Sequence, residues 1–183
     1  MKLTEIREQS KKLNKRIIFI IAPMLGMVGQ ATIAFHLQNA LSNKYFPIVI
    51  GYCSPKIKKT KFNGMVIELP WGSENKLIRF FFYFFRILLL SLYGLVLKPK
   101  YIIAQGETGI ILGIFLKKII KDCKCIGSFH ESLFKYNQSD LKSKFKGKLL
   151  KELDGTHFVS NGIKEQYQKN YKLNNPFTIY SPA

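Results

Sequence analysis

Two short stretches of this chain place chemically useful residues where an apolar segment ends. The first is CIGSFHE, in which a run of small and apolar residues stops at His130 with Glu131 directly behind it. An imidazole and a carboxylate are unusual ends for a strand bound for a core. Such a histidine either faces a ligand or serves as a structural hydrogen-bonder, and position alone leaves both readings open. The second is PMLGMVGQ, Pro23 to Gln30, a glycine-punctuated turn that opens a helix. Gly26 and Gly29 let the backbone approach a ligand, and amides at a helix start favour phosphate. Gln30 closes this turn.

The second stretch is not a dinucleotide fingerprint. It is not G-x-G-x-x-G, it lacks the Lys-Ser/Thr of a P-loop, and no acidic residue ends the following strand to hold a ribose. No bound cofactor is expected. The cysteines Cys53, Cys123 and Cys125 offer no spaced pairs, so no metal site is expected and all three read as packing residues of a reducing compartment.

The elements that must position these residues alternate. RIIFIIA (Arg16 to Ala22), FPIVIGY (Phe46 to Tyr52), GMVIELP (Gly64 to Pro70), YIIAQ (Tyr101 to Gln105), CKCIGSF (Cys123 to Phe129), THFVS (Thr156 to Ser160) and FTIY (Phe177 to Tyr180) are short apolar strands. Helical patterns lie between most of them: Ala31 to Ser42, Glu107 to Lys121, a segment around Lys146 to Leu153, and Asn161 to Tyr171. Uniformly apolar strands alternating with helices predict a Rossmann-like parallel sheet with helices on both faces. Ligands of open parallel sheets bind at the carboxyl ends of the strands. Gln105, Gly106, Glu107, His130, Glu131, Ser160 and Asn161 all fall there, beside the glycine turn.

The whole chain of 183 residues suits one domain, and its hydrophobic fraction of 47% excludes a disordered polymer. We expect a basic extension over residues 1–16, with a short surface helix, and a single domain over 17–183 that ends at a linker. No secretory signal is expected, because the first apolar run is short and follows a charged stretch. The net charge of +18 attracts polyanions: nucleic acid, anionic lipid or a phosphorylated substrate. Nucleic acid is set aside, since neither a recognition helix nor basic residues interleaved with exposed aromatics on a strand or loop is evident.

The order of these features resembles the N-terminal half of GT-B glycosyltransferases of the family-four type. VGQATIAFHLQNALSNKYFPIVI stands for the family's glycine turn, first helix and second strand. YIIAQGETG, SFHE, LDGTHFVSNGIKEQY and FTIYSPA follow in the family's order. The similarity spans nearly everything from Arg16 to Ala183. In two places the chain departs: the glycine pair becomes Val28-Gly29, and the glycine-histidine before the second strand becomes Tyr45-Phe46. The resemblance implies an acceptor-side domain that moves sugar from a sugar nucleotide, its donor substrate, to a lipid-linked or cell-surface glycan. Donor binding would come from another domain or a separate catalytic subunit, leaving this chain inactive alone. His130 would face the interdomain cleft and orient the sugar. The alternatives are a non-catalytic membrane anchor that recruits a catalytic chain, and an unrelated Rossmann-like nucleotide-binding protein.

The segment from Ser73 to Leu97 is a long apolar helix with Ser73 as its N-cap and Pro99 as its stop. Leu77 to Leu97 is long enough to suggest a membrane span, which needs about 20 apolar residues, but Arg79 and Arg86 oppose insertion by about 2.5 to 3.5 kcal/mol each. Lys76, Arg79, Tyr83, Arg86 and Tyr93 form one stripe. We expect that stripe, with Arg79, Tyr83 and Arg86, to face an anionic membrane surface. That places the protein in the cytoplasm, peripherally on the inner face of the membrane. The other reading is a core helix with a polar solvent face.

Overall fold

The computed structural model describes residues 3–25, 28–52, 61–70, 76–130 and 141–179. Its elements in chain order are α1 (Leu3–Lys12), β1 (Arg16–Met24), α2 (Val28–Leu41), β2 (Tyr45–Tyr52), β3 (Met65–Glu68), α3 (Lys76–Leu97) and β4 (Tyr101–Gln105). Then follow α4 (Gly106–Ile119), β5 (Lys124–Phe129), α5 (Leu141–Glu152), β6 (Gly155–Phe158), α6 (Asn161–Asn170) and β7 (Pro176–Thr178).

The strands form one seven-stranded sheet in the order β3-β2-β1-β4-β5-β6-β7, and every pair is parallel. The Rossmann-like architecture is therefore as the alternation predicts. The β-branched strands bury both sides, which is why they read as unbroken apolar runs. Phe19 and Ile21 belong to one core layer with residues of α1, α3, α4, α5 and α6. Ile18 and Ile20 point the other way, onto α2. The two faces are thus covered unequally.

Strand order reverses between β1 and β4, so the chain leaves these neighbours in opposite directions and a crevice opens at their carboxyl ends. Helix α4 lies close over that place because it carries glycine where it meets the sheet. A Cβ on Gly113 would stand 2.9 Å from both the Ala104 Cβ and the Cys125 Sγ. Cys123 and Cys125 are buried free thiols, as expected of packing residues. Burial raises them to about 11 and about 12 respectively, which keeps both protonated and poorly nucleophilic. Cys53 lies outside the described residues.

Two expectations change. Helix α1 is present, but Ile6 is buried in the main core cluster and α1 packs on α3, so the basic segment contributes to the core. Helix α3 is turned opposite to the expected sense. Arg86 is 7% exposed, its Nε donates to the Pro70 carbonyl at 2.8 Å, and its guanidinium lies over the Tyr52 ring. Tyr93 packs on the core, and burial raises the half-buried Tyr83 hydroxyl. The side chain of Arg79 lies outside the described residues. Outward instead come Ile78, Phe81, Phe85, Leu88, Leu92 and Leu95, with Phe81 72% and Leu88 66% exposed. Of the stripe's described side chains, Arg86 and Tyr93 face the protein, and the end of β2 and the Pro70 carbonyl give the Arg86 guanidinium partners that an apolar side chain could not use.

Candidate functional site

At the carboxyl ends of the central strands lies a cavity of about 240 Å³. Pro23 and Gln30 reach it from the end of β1 and the start of α2, and Tyr52 from the end of β2. The first turn of α4 contributes Gly106, Glu107 and Thr108, while β5 ends in Phe129 and is followed directly by His130. Lys146 of α5 and Tyr167 of α6 complete the lining.

The turn into α4 shows why its residue types are needed. Gly106 has φ +65°, a left-handed conformation, and a Cβ there would sit 2.7 Å from the Gln30 Nε2. A side chain would be strained and would push Gln30 away. Gly29 differs, because a Cβ on it would meet nothing within 4 Å. Among the described residues, none stands against that position in the first turn of α2. Gly26 lies outside the described residues, as does Glu131.

Lys146 and Glu107 supply paired charge. The Lys146 Nζ lies 3.0 Å from the Glu107 Oε1 and 5.0 Å from the centre of the Tyr167 ring. Burial acts to lower the lysine, but its bonds to Tyr167 and Glu107 outweigh that and raise it, so it stays protonated. Burial in turn raises the Tyr167 hydroxyl, opposed by Lys146. Beneath them Phe129, Phe158 and Tyr167 pack with ring centres between 5.0 and 5.7 Å apart, fixing the cavity wall.

His130 lines the cavity at the tip of β5. Its Nε2 is 3.2 Å from the Ser128 Oγ, and that hydroxyl is 2.7 Å from the His157 Nδ1. The His157 Nε2 is 3.2 Å from the Ile179 carbonyl. Burial, and secondarily the neighbouring His157, lower His130 to about 4, so the ring is neutral at pH 7. Burial lowers His157 as well, against the opposing bond to Ile179. Gln105, Ser128 and His157 stand side by side in register on β4, β5 and β6. Gln105 is fully buried, and its amide finds no hydrogen-bond partner among the described residues.

Of the residues singled out in the sequence, the cavity gathers Gln30, Gly106, Glu107 and His130. Gln105 lies behind it in the sheet. Ser160 accepts a hydrogen bond from the Ile163 amide at 3.3 Å as the N-cap of α6, and Asn161 is the exposed first residue of that helix. Both stay off the cavity lining because that hydroxyl is engaged by the helix end. Sequence reasoning missed Tyr52, Lys146, Tyr167, Ser128 and His157. Lys146 is one of 29 basic residues with nothing in its neighbours to mark it. His157 did carry a signal: an imidazole in the middle of a short buried strand.

Among the described residues no group of three or more histidine, cysteine or acidic side chains is placed to hold a metal. None of the described helices is long and apolar enough to cross a membrane.

No family model matches this chain, and no curated protein matches it. Solved structures do. A glycosyltransferase from Rickettsia africae ESF-5 aligns with TM-score 0.64 at 21% identity over 93% of this chain and 44% of its own. The lipopolysaccharide outer core galactosyltransferase WaaB aligns with TM-score 0.63 at 20% identity, over 91% of this chain and 46% of its own. Sucrose-phosphate synthase from Thermosynechococcus elongatus reaches TM-score 0.72 at 12% identity, over 92% and 49%. The chain thus spans less than half the length of these proteins. Its fold is that of a GT-B-type N-terminal domain, and the likeness does not single out family four.

Proposed function

We propose that this chain is the acceptor-side half of a glycosyltransferase. It would act in the transfer of a sugar from a sugar nucleotide to a lipid-linked or cell-surface glycan, and family-four chemistry is the closest pattern in the sequence. The observation that carries this reading is the cavity at the strand-order reversal. There a neutral histidine, a lysine–carboxylate pair and the buried Gln30 Oε1, which has no hydrogen-bond partner among the described residues, surround one open space. Neutral hydrogen-bonding groups over an aromatic wall suit a sugar.

The cavity is also small. Complete small-molecule sites occupy roughly 300 to 1,000 Å³, so about 240 Å³ is what half of a cleft offers. The other wall, with the groups that bind the nucleotide, belongs in this reading to a donor-binding domain or a separate catalytic subunit. Phosphate leaving groups need preorganised positive charge or helix-end donors, usually a large catalytic contribution.

The outer face of α3 supports work at a membrane surface, at the inner face of a cytoplasmic membrane. Its exposed leucines and phenylalanines, on a chain of net charge +18, suit shallow burial among anionic lipids. The same face would serve a non-catalytic anchor. A pure anchor has no use for the His130 cavity, which is why the enzymatic reading is preferred.

The test is twofold. The 183-residue chain, purified, is mixed with sugar nucleotides and acceptor lipids, and no turnover is expected. A hexoside is then titrated into the 15N-labelled chain, and shifts are expected at His130 and its cavity neighbours. Turnover by the chain alone would refute the half-site reading. Hexoside titration without any effect at the cavity would refute the sugar-binding role.

A further inference from the structure

Behind the cavity Ser128, His157 and the Ile179 carbonyl are bonded in a sequence that leaves His130 only one way to meet a ligand. The Ile179 carbonyl can only accept, so the His157 Nε2 that lies 3.2 Å from it carries a hydrogen. A neutral imidazole has one N–H, which leaves the His157 Nδ1 as a bare acceptor. The Ser128 Oγ at 2.7 Å must then donate its single hydrogen to that nitrogen. With its hydrogen committed, the hydroxyl can only accept from the His130 Nε2 at 3.2 Å. His130 therefore holds its own hydrogen on Nε2, and the polar atom it has left is an unprotonated Nδ1. No described residue bonds to that atom.

We infer that Ser128 and His157 are positioning residues that fix His130 as a hydrogen-bond acceptor toward the cavity, so that it selects a ligand hydroxyl and disfavours phosphate or carboxylate. Placed at the end of β5, a histidine free to choose its tautomer could bond to either kind of group. Burial of the Ser128 hydroxyl, fully enclosed beneath its two imidazole partners, makes the choice costly to reverse. A buried hydroxyl turned the other way would leave the His157 Nδ1 without a donor. Both histidines are neutral at pH 7, which the argument requires, because burial disfavours the charged form of each. Among the described residues, the charged groups that line the cavity with His130 are Glu107 and Lys146, which are paired with one another.

This assignment rests on the sugar-binding reading only for the identity of the hydroxyl. The tautomer itself is a property of the free chain. Long-range 1H–15N correlation spectra of the histidine-labelled chain read it directly, and the three histidines are assigned by single substitution. The wild type is expected to show His130 protonated on Nε2 and bare on Nδ1. Ser128→Ala should release it into a mixture of tautomers, and Ser128→Thr, which keeps the hydroxyl, should restore the single form. His157→Phe keeps an aromatic ring but frees the Ser128 hydrogen, so an Nδ1–H population of His130 should appear. A wild-type His130 protonated on Nδ1 would overturn the assignment, as would a wild-type mixture that Ser128→Ala leaves unchanged. In a second arm, a hexoside should perturb the His130 Nδ1 resonance at concentrations where inorganic phosphate does not. Perturbation of Nδ1 by phosphate alone would overturn the selectivity. A correct tautomer with no response to hexoside would leave the relay standing and remove the sugar from it.

Discussion

The Arg86 guanidinium carbon lies 4.0 Å from the centre of the Tyr52 ring, face-on, while its Nε donates to the Pro70 carbonyl. This contact turns α3 so that its arginine side faces the sheet. Arg86→Met keeps the aliphatic stem and removes both interactions. A hydrogen bond to a charged group together with a desolvated cation–π contact predicts a loss of about 2 to 4 kcal/mol. Urea denaturation at constant m-value measures it, and a loss under about 0.5 kcal/mol, the range of an ordinary surface change, would show the contact to be incidental.

The same rotation moves the proposed membrane contact to the opposite side of the helix. Leu88→Gln and Leu92→Gln change neighbouring outward positions and preserve helix propensity. Each leucine is worth roughly 1.5 to 3 kcal/mol on leaving water, so vesicle affinity should fall about tenfold or more per substitution, with the melting temperature little changed. Co-sedimentation with anionic vesicles is the measurement. Undiminished binding by the double variant would remove α3 from the interface.

His130 makes stability depend on pH with a definite sign. Its folded value of about 4 lies below the unfolded 6.5, so between them the unfolded chain binds more protons than the folded one. The stabilisation is fully present above pH 6.5 and is lost as pH falls toward 4. Thermal melting should therefore decline through this window, and less steeply in His130→Gln. His157, also lowered, contributes in the same direction. Parallel profiles for the variant and the wild type would contradict a buried neutral His130.

Two helical glycines should respond oppositely to alanine. At Gly113 the new Cβ meets Ala104 and Cys125 at 2.9 Å, both carried on strands that cannot yield easily. The overpacking cost of about 1 to 3 kcal/mol outweighs a propensity gain of roughly 1. At Gly29 no described residue opposes the methyl group, so Gly29→Ala should be neutral or stabilising by up to about 1 kcal/mol. Chemical denaturation of both variants decides, and equal effects would contradict the close approach of α4.

The strands and most of the helices were legible because their signals are local. RIIFIIA is apolar without a break from Ile17 to Ala22 and YIIAQ from Tyr101 to Ala104, and such unalternating runs are what a parallel sheet buried on both sides asks for. From the alternation of such strands with helices a crevice at the strand ends follows by topology, which is why Gln30, Gly106, Glu107 and His130 can be picked out of the sequence as neighbours of one cavity. These residues sit next to strand ends, and strand ends can be read.

What the tertiary structure decided lies between segments distant in sequence. The α3 pattern contains a polar stripe and an apolar stripe, and its periodicity says only that they lie on different sides. Which one faces inward depends on Tyr52 and the Pro70 carbonyl, neither of which belongs to the helix. Ser128 and His157 are 29 positions apart and meet only because β5 and β6 pair in register. Lys146 reaches Glu107 across 39 positions for the same kind of reason, the packing of α5 against α4. Periodicity reports the environment of one segment. Partners, and with them the protonation state of His130, are set by contacts that no single segment contains.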